Sequence, residues 1–453
     1  MSDFLGSVWW LIVSLGLLVT FHEFGHYWVA RRNGVRVLRF SVGFGRPLWM
    51  RRGRDGTEYA IAAIPLGGYV KMLDEREAPV AADEVSQAFN RKSVGQRMAI
   101  VAAGPAANLL LCVALLWAMF VVGRPDYAPV VGHVQGVAAE AGLARGDRIE
   151  AVGERATPTW NEVQMALLPA ALDRADVHLA VVDANGNAGQ RTLPLSKLPA
   201  DLDDRALLPA VGMLPRHLLA PPVIGRVHPD SPAWGVLAED DRVTALDGNP
   251  VATFDQIGPL VQALGERGGA AMIEVERDGE RLALEVAPRR VHDEARGDFW
   301  ALGIESTRAA VPPKDALQRY GPLEAVPAAL RETVHLTGQL VGMIGRAFTG
   351  RIAVENTVAG PITIARATNA YAQQGVAWYL TILALLSLSL AVINLLPIPL
   401  LDGGHLLYYL IELVKGSPVS ERAMAAGQSV GLVLLAGLMG LAFYNDILQL
   451  VQR

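Results

Sequence analysis

Cysteine is almost missing from this chain: Cys112 is the single one among 453 residues. That excludes an internal disulfide framework and any cysteine-based zinc finger. Charge is scarce too. Asp, Glu, Lys and Arg make up 19% of the residues, below the roughly 25% of soluble proteins, while hydrophobic residues reach 51%. With a mean hydropathy of +0.28, a soluble globular enzyme is a poor fit. Neither sign of charge dominates: 40 Lys and Arg stand against 45 Asp and Glu, a net of −5. Nothing in that balance calls for a nucleic-acid partner. Gly and Pro, at 45 and 27, lie near average, which excludes collagen-like and low-complexity chains.

The missing charge is concentrated. Residues 4–21, 98–123, 367–401 and 423–445 contain no Asp, Glu, Lys or Arg. Each window reaches the ~18 residues of a membrane-spanning candidate. The reading is a polytopic α-helical membrane protein with four transmembrane helices: residues 1–30, 98–123, 371–402 and 423–453. A signal peptide is the alternative for the first window, but no basic residue precedes it and no small-residue cleavage site follows. The loop 31–97 holds 13 Lys and Arg against 7 acids. By the positive-inside rule this loop and the 403–422 connection are cytoplasmic, and both termini and the long insertion face the other side.

The insertion carries an internal repeat. The stretch from Ala139 to Gly153 aligns, 94 residues on, with that from Ala233 to Asp247, each with an Asp-Arg-(Ile/Val) strand entry at Asp147 and Asp241. That period is too long for a solenoid unit and suits two tandem small β-rich domains, 124–220 and 221–310. The plain reading is two β-domains whose glycines and aspartates serve turns. The pattern also resembles bacterial PDZ domains, which take extended peptides by strand addition. The first copy has Gly146 before its aspartate and the second has Asp240, a departure at that turn. Residues 311–370 read as a helical linker. Val334, Leu336, Leu340, Val341, Ile344 and Phe348 recur at helical spacing, as a helix near the membrane surface or packed on the second β-domain.

The chemistry starts at His22-Glu23-Phe24-Gly25-His26. On a helix, His22 and His26 share a face and can reach one Zn²⁺, with Glu23 beside them to take a proton from water. Ionisable residues in a span are costly, and three within five positions need a shared reason. Snorkelling interfacial residues are the plain alternative. Catalytic zinc takes three protein ligands and keeps one position open. No acid follows His26 until Asp55, so a third ligand is sought elsewhere. Asp402, after Asn394-Leu-Leu-Pro-Ile-Pro-Leu-Leu, is the candidate. The first and third spans both run inward, so His26 and Asp402 fall at one depth although 376 positions separate them. His405 is a rival ligand, or a capping or neighbouring group. Pro397 and Pro399 forbid a regular helix before Asp402. The other histidines outside the spans read as ordinary surface or core residues.

Together these motifs resemble the site-2 protease family of intramembrane zinc metalloproteases, in its bacterial branch with tandem PDZ domains. The resemblance covers essentially the whole chain. It includes Gly43–Gly45, the run from Tyr59 to Met72, Ala103-Gly-Pro-Ala-Ala-Asn108 and Gly360-Pro-Ile362. It implies His22, His26 and Asp402 as zinc ligands and Glu23 as catalytic base. It implies a membrane-associated β-hairpin within 31–97 whose strand edge holds unwound substrate, with Gly43, Gly45, Gly67, Gly68, Asn394, Pro397 and Pro399 as substrate-binding positions. Gly67-Gly68 also reads as a turn or bend. Implied substrates are single-span membrane proteins, such as an anti-sigma factor already trimmed at a first site, and remnant signal peptides. Implied, too, are the bacterial inner membrane with its lipids, envelope stress, peptide ligands for the PDZ grooves, and no nucleic acid. Asn394 reads as a substrate-holding amide or a packing amide. Asn108 reads as a packing amide beside Gly104. Two rival functions stay open: a non-catalytic PDZ membrane scaffold with a structural zinc site closed by His405, and a metal transporter.

Overall fold

A computed structural model describes residues 3–199, 207–293, 297–307, 312–349 and 359–451. The chain divides into two compact units, one of residues 1–124 with 318–453 and one of residues 125–317.

Among the described residues of the first unit, four helices are long and apolar enough to cross a membrane. Backbone N–H and C=O groups find no water in lipid, so such segments bond internally as helices. Helix α1 spans Asp3–Arg32. Strands β1 (Val37–Arg52) and β2 (Glu58–Met72) follow, then α2 (Val94–Val122). The start of α2 is a capping box: Gln96 N–H donates to Ser93 Oγ at 3.3 Å and Ser93 N–H donates to Gln96 Oε1 at 3.1 Å. After the second unit come α3 (Ala325–Phe348), α4 (Pro361–Gln373), α5 (Val376–Leu395), α6 (Asp402–Lys415) and α7 (Glu421–Val451).

The third apolar window is thus helical over a shorter stretch than 371–402. Helix α5 stops at Leu395 because Pro397 and Pro399 carry no N–H to continue it. The 403–422 connection is mostly helix, ended by Gly416 in the left-handed region at φ 77°. Among the described residues, the expected linker contains the helices α3 and α4. Helix α3 packs against α2, with Thr333 buried and its Oγ1 3.9 Å from Cys112 Sγ. Val334, Val341 and Phe348 point outward, exposed.

Strands β1 and β2 form a hairpin whose turn is at Gly53–Thr57, where Gly53 N–H donates to Thr57 O at 2.8 Å. Gly67 and Gly68 are a bend inside β2 rather than that turn. Gly67 has φ 117°, and its missing Cβ leaves room for the Phe44 ring. Both strands fold back on themselves. Residues 39–42 face Lys71, Val70, Tyr69 and Gly68 on one side and Glu58, Tyr59, Ala60 and Ile61 on the other. The short curled sheet is pinned at its root by Arg39, whose guanidinium donates to Glu58 at 2.6 and 2.9 Å.

The second unit contains two β-domains of matching order. In the first, strands run Arg155–Ala156, Arg148–Val152, Val177–Val182, Ala188–Leu193 across the sheet, with helix Trp160–Asp173 packed on it. In the second they run Asn249–Pro250, Arg242–Leu246, Ala271–Arg277, Glu280–Val286, with helix Ile257–Arg267. The repeated aspartates do the same work in each. Asp147 Oδ2 accepts from Ala144 N–H at 2.9 Å and Asp241 Oδ2 from Ala238 N–H at 2.8 Å. Gly146 and Asp240 both have positive φ, 92° and 69°, so the substitution keeps the turn. Aspartate tolerates that region better than most residues.

Asp241 is buried and also accepts from Arg277 Nε at 2.7 Å. Burial pushes its pKa up, but the Arg277 bonds and the Ala238 N–H outweigh that and hold it below the ordinary carboxylate value. A carboxyl depressed on folding stabilises above its unfolded pKa of about 4 and loses that contribution as pH falls through the folded value. Asp241→Asn should therefore destabilise the second β-domain by about 2 kcal/mol at pH 7. The difference from the parent should shrink as pH falls below about 4. Hydrogen exchange of residues 224–246 across pH would show this.

Candidate functional site

The site is assembled on three segments of the first unit. Helix α1 presents His22 and His26 one turn apart, both buried. Helix α6 begins at Asp402, directly after the irregular stretch 396–401. Leu400 there has φ 113°, a strained value for a side chain of its size. Gly403 and Gly404 let α6 press on that stretch: a Cβ on Gly404 would sit 2.5 Å from Ile398 O and 2.7 Å from Pro399 Cα.

Three electron-pair donors meet. His22 Nε2 and His26 Nε2 are 3.2 Å apart, and Asp402 Oδ2 lies 3.2 Å from the first and 3.5 Å from the second. A tetrahedral Zn²⁺ with ligands at about 2.0 Å spaces its donors about 3.3 Å apart. Asp402 Oδ2 is buried without a hydrogen-bond partner, a costly arrangement unless a cation satisfies it. Among the described residues, these three form the one group of His, Cys, Asp or Glu fit to hold a metal. His405 is not in it; its ring instead meets Tyr408 edge-on at 6.4 Å.

Helix α2 braces the histidines. His26 Nδ1–H donates to Ile100 O at 2.9 Å, which leaves its Nε2 lone pair for a metal. Asn108, fully buried, puts its amide 3.3 Å from His22 Nδ1. This amide therefore does more than pack beside Gly104, and a single sequence gave no sign of its direction. The approach of the two helices depends on missing side chains. A Cβ on Gly104 would overlap the His26 ring and come within 2.8 Å of His22 Cε1, and a Cβ on Gly25 would overlap the Ala103 carbonyl. Gly104 and Gly25 were thus functional positions readable only as small residues.

Glu23, half-buried, sits on the α1 face toward β2. A Cβ on Gly68 would lie 3.0 Å from Glu23 Cγ and 2.9 Å from Val19 Cγ1. Gly68 of the hairpin therefore falls beside the site. Gly43 lies opposite this bend, at φ 90°, with Ala62 O and Ile64 O where a Cβ would go; Gly45 follows at φ 86°. Pro397 borders an apolar groove of about 510 Å³ with Met98, Ala102, Gly403 and Leu410. Pro399 packs under α7, where a Cβ on Gly427 would lie 3.5 Å from its Cγ. Asn394, near the end of α5, is half-buried.

The sequence pattern of peptidase family M50 matches residues 10–438. A Xylella fastidiosa protein with a provisional zinc metalloprotease name is 55% identical over 99% of this chain and its own full length. The Escherichia coli regulator of sigma-E protease RseP is 40% identical over 99% of this chain and all of its own. Protease RseP of Yersinia pestis is likewise 40% identical over the same shares.

The packing at Gly104 sets an expectation. Gly104→Ala should weaken zinc binding at least about 10-fold by displacing the imidazoles, while Gly95→Ala, with nothing within 4 Å on the same helix, should not. Zinc content after dialysis against a graded chelator series would measure both.

Proposed function

The chain belongs to peptidase family M50 and is a zinc metalloprotease, and from this membership we propose that it cleaves single-span membrane proteins within the bilayer. One observation carries the reading. His22, His26 and Asp402 converge to within 3.5 Å where an apolar helix and a broken one meet. A donor set that dense inside a membrane protein is costly without a function.

His22, His26 and Asp402 would hold the zinc. Bound there, zinc supplies an acidified water and a polarised peptide carbonyl. Glu23 accepts the proton of the attacking water and returns it to the leaving amide nitrogen. Buried imidazoles and Asp402 keep bulk water from the ion's protein side. A helical substrate hides its peptide bonds, so it must unwind before cleavage. The bend at Gly67 and Gly68 offers backbone for strand addition beside Glu23. Gly43 and Gly45 keep the opposing backbone free of side chains. Asn394, Pro397 and Pro399 would line the same substrate path.

Orientation follows from the basic residues of 31–97: the hairpin is cytoplasmic, the termini and the two β-domains periplasmic. The paired β-domains, with matching strand order and equivalent aspartate turns, are read as PDZ domains. They would bind peptide ends or exclude untrimmed substrates. The family resemblance suggests substrates of the anti-sigma factor type in an envelope stress response, with remnant signal peptides as a second class, and the name of the Escherichia coli relative, a regulator of sigma-E protease, is in keeping with the first. Exposed Leu48, Trp49, Met50 and Ile61 on the hairpin favour contact with lipid of the inner membrane. A scaffold with structural zinc would call for a fourth protein ligand, and His405 turns to Tyr408 instead.

Glu23→Gln tests the mechanism. On a single-span reporter lacking its periplasmic domain, the variant should lose about 10²–10⁴-fold in cleavage rate while keeping its zinc. Chelation should silence the parent. Equal cleavage by both proteins would remove Glu23 from the mechanism.

A further inference from the structure

We propose that Asn108 is a positioning residue of the zinc site, whose side-chain carbonyl accepts the Nδ1–H of His22 and so fixes the ring that presents Nε2. The inference rests on the zinc reading above and deepens it.

His22 turns Nε2 toward His26 Nε2 and Asp402 Oδ2, at 3.2 Å each. A neutral imidazole that offers the Nε2 lone pair carries its proton on Nδ1. That N–H is buried and needs an acceptor. The group 3.3 Å from Nδ1 is the Asn108 carboxamide, itself with no exposed surface. With Nδ2 toward the ring, two donors would face each other, and Oδ1 would stay buried without a partner. Exchanging the oxygen and nitrogen ends of the amide removes the clash and uses the orphaned oxygen. The oxygen therefore faces His22.

The parallel with His26 supports the assignment. Its Nδ1–H goes to Ile100 O, also on α2, at 2.9 Å. Helix α2 thus supplies one acceptor to each zinc-facing imidazole, two helical turns apart. A backbone carbonyl serves one ring and an amide side chain the other. Asn108 is also held firmly. Its own main-chain carbonyl accepts from Ser387 Oγ on α5 at 2.7 Å, and Ser387 is buried. Helix α5 leads to Asp402 through 396–401, so this bond ties the histidine brace to the helix that delivers the third ligand. Pro105, one turn before Asn108, lacks an N–H and cannot compete for nearby acceptors.

The test uses full-length protein in detergent. Zinc affinity and release are read by transfer to a chromogenic chelator, and ligand geometry by the visible bands of a Co²⁺-substituted sample. The parent, His22→Ala, Asn108→Leu and Asn108→Asp are compared. Asn108→Leu keeps the volume without the acceptor and should weaken zinc binding about 10–100-fold with altered Co²⁺ bands. Asn108→Asp restores an acceptor and should hold zinc at least as tightly as the parent, with parental bands. Should the leucine variant fail to fold, the aspartate variant decides alone. Parental affinity in Asn108→Leu overturns the proposal, as does loss of zinc from a folded Asn108→Asp. A parent that binds no zinc, or a His22→Ala that keeps it, would instead overturn the zinc reading beneath it.

Discussion

The close approach of α1 and α2 is the constraint on which the site depends. Two histidines one turn apart on a helix face the same way but are not thereby aimed. They are aimed by α2, and α2 can come close only where Gly25 and Gly104 leave no side chain between them. Lipid offers no hydrophobic force to press helices together, so small residues and interhelical hydrogen bonds must do so. Here the same contact does both. The gap at Gly104 admits the imidazoles, and the carbonyl of Ile100 and the amide of Asn108 meet their outer nitrogens.

The second requirement is a helix that breaks at the right depth. If α5 continued past Leu395, Asp402 would point according to its helical phase rather than toward α1. The prolines at 397 and 399 prevent that, and the irregular stretch then begins a new helix at Asp402. Such backbone survives at membrane depth only when enclosed by protein or beside water. The enclosure is again made of glycine. Gly403 and Gly404 pack on the stretch from within α6, and Gly427 and Gly431 from α7. At the other end of α7, buried Asp446 accepts from the N–H groups of Ile362 at 2.8 Å and Thr363 at 3.2 Å, at the start of α4. A carboxylate at a helix N-terminus satisfies donors the helix itself leaves open. Helix α7, mostly exposed between these ends, is thus held at two points.

The sequence carried what periodicity and motif encode. Charge-free windows located the long helices, and the spacing of His22 and His26 located the donor pair. Asp402 was legible because two independent arguments, a broken span and a shared depth, selected it. The internal repeat was legible as two β-domains because Asp147 and Asp241 do the same backbone work. Less was legible wherever the outcome depends on a distant partner. Gly67 and Gly68 read as a turn or bend, and the bend is what forms, mid-strand where β1 and β2 both fold back, while the hairpin turn falls at Gly53–Thr57. Asn108 read as packing because an amide in a small-residue motif says nothing of which ring it will meet 86 positions away. The phase of α3 gave an apolar stripe, read as facing the membrane surface or the second β-domain, but not that the helix packs on α2 and α5.

Peptide hydrolysis within a membrane has two costs: unwinding the substrate and admitting water to its carbonyl. The geometry beside Glu23 bears on the first. An unwound segment has backbone donors and acceptors that lipid cannot satisfy, each worth several kcal/mol if left bare. Strand 68–72 is paired on one side, with residues 37–42, and no described strand pairs its other side. At Gly68 the absent side chain lets the strand lie against α1, with Val19 and Glu23 within about 3 Å of the Cβ position, so this strand itself runs beside the proposed base. Strand pairing of a substrate with this edge would replace the lost helical bonds. It would also offer a peptide bond in extended rather than helical form. On the proposed reading the hairpin would be part of the reaction's energetics and not simply a docking surface: it would lower the cost of the extended state to be cut.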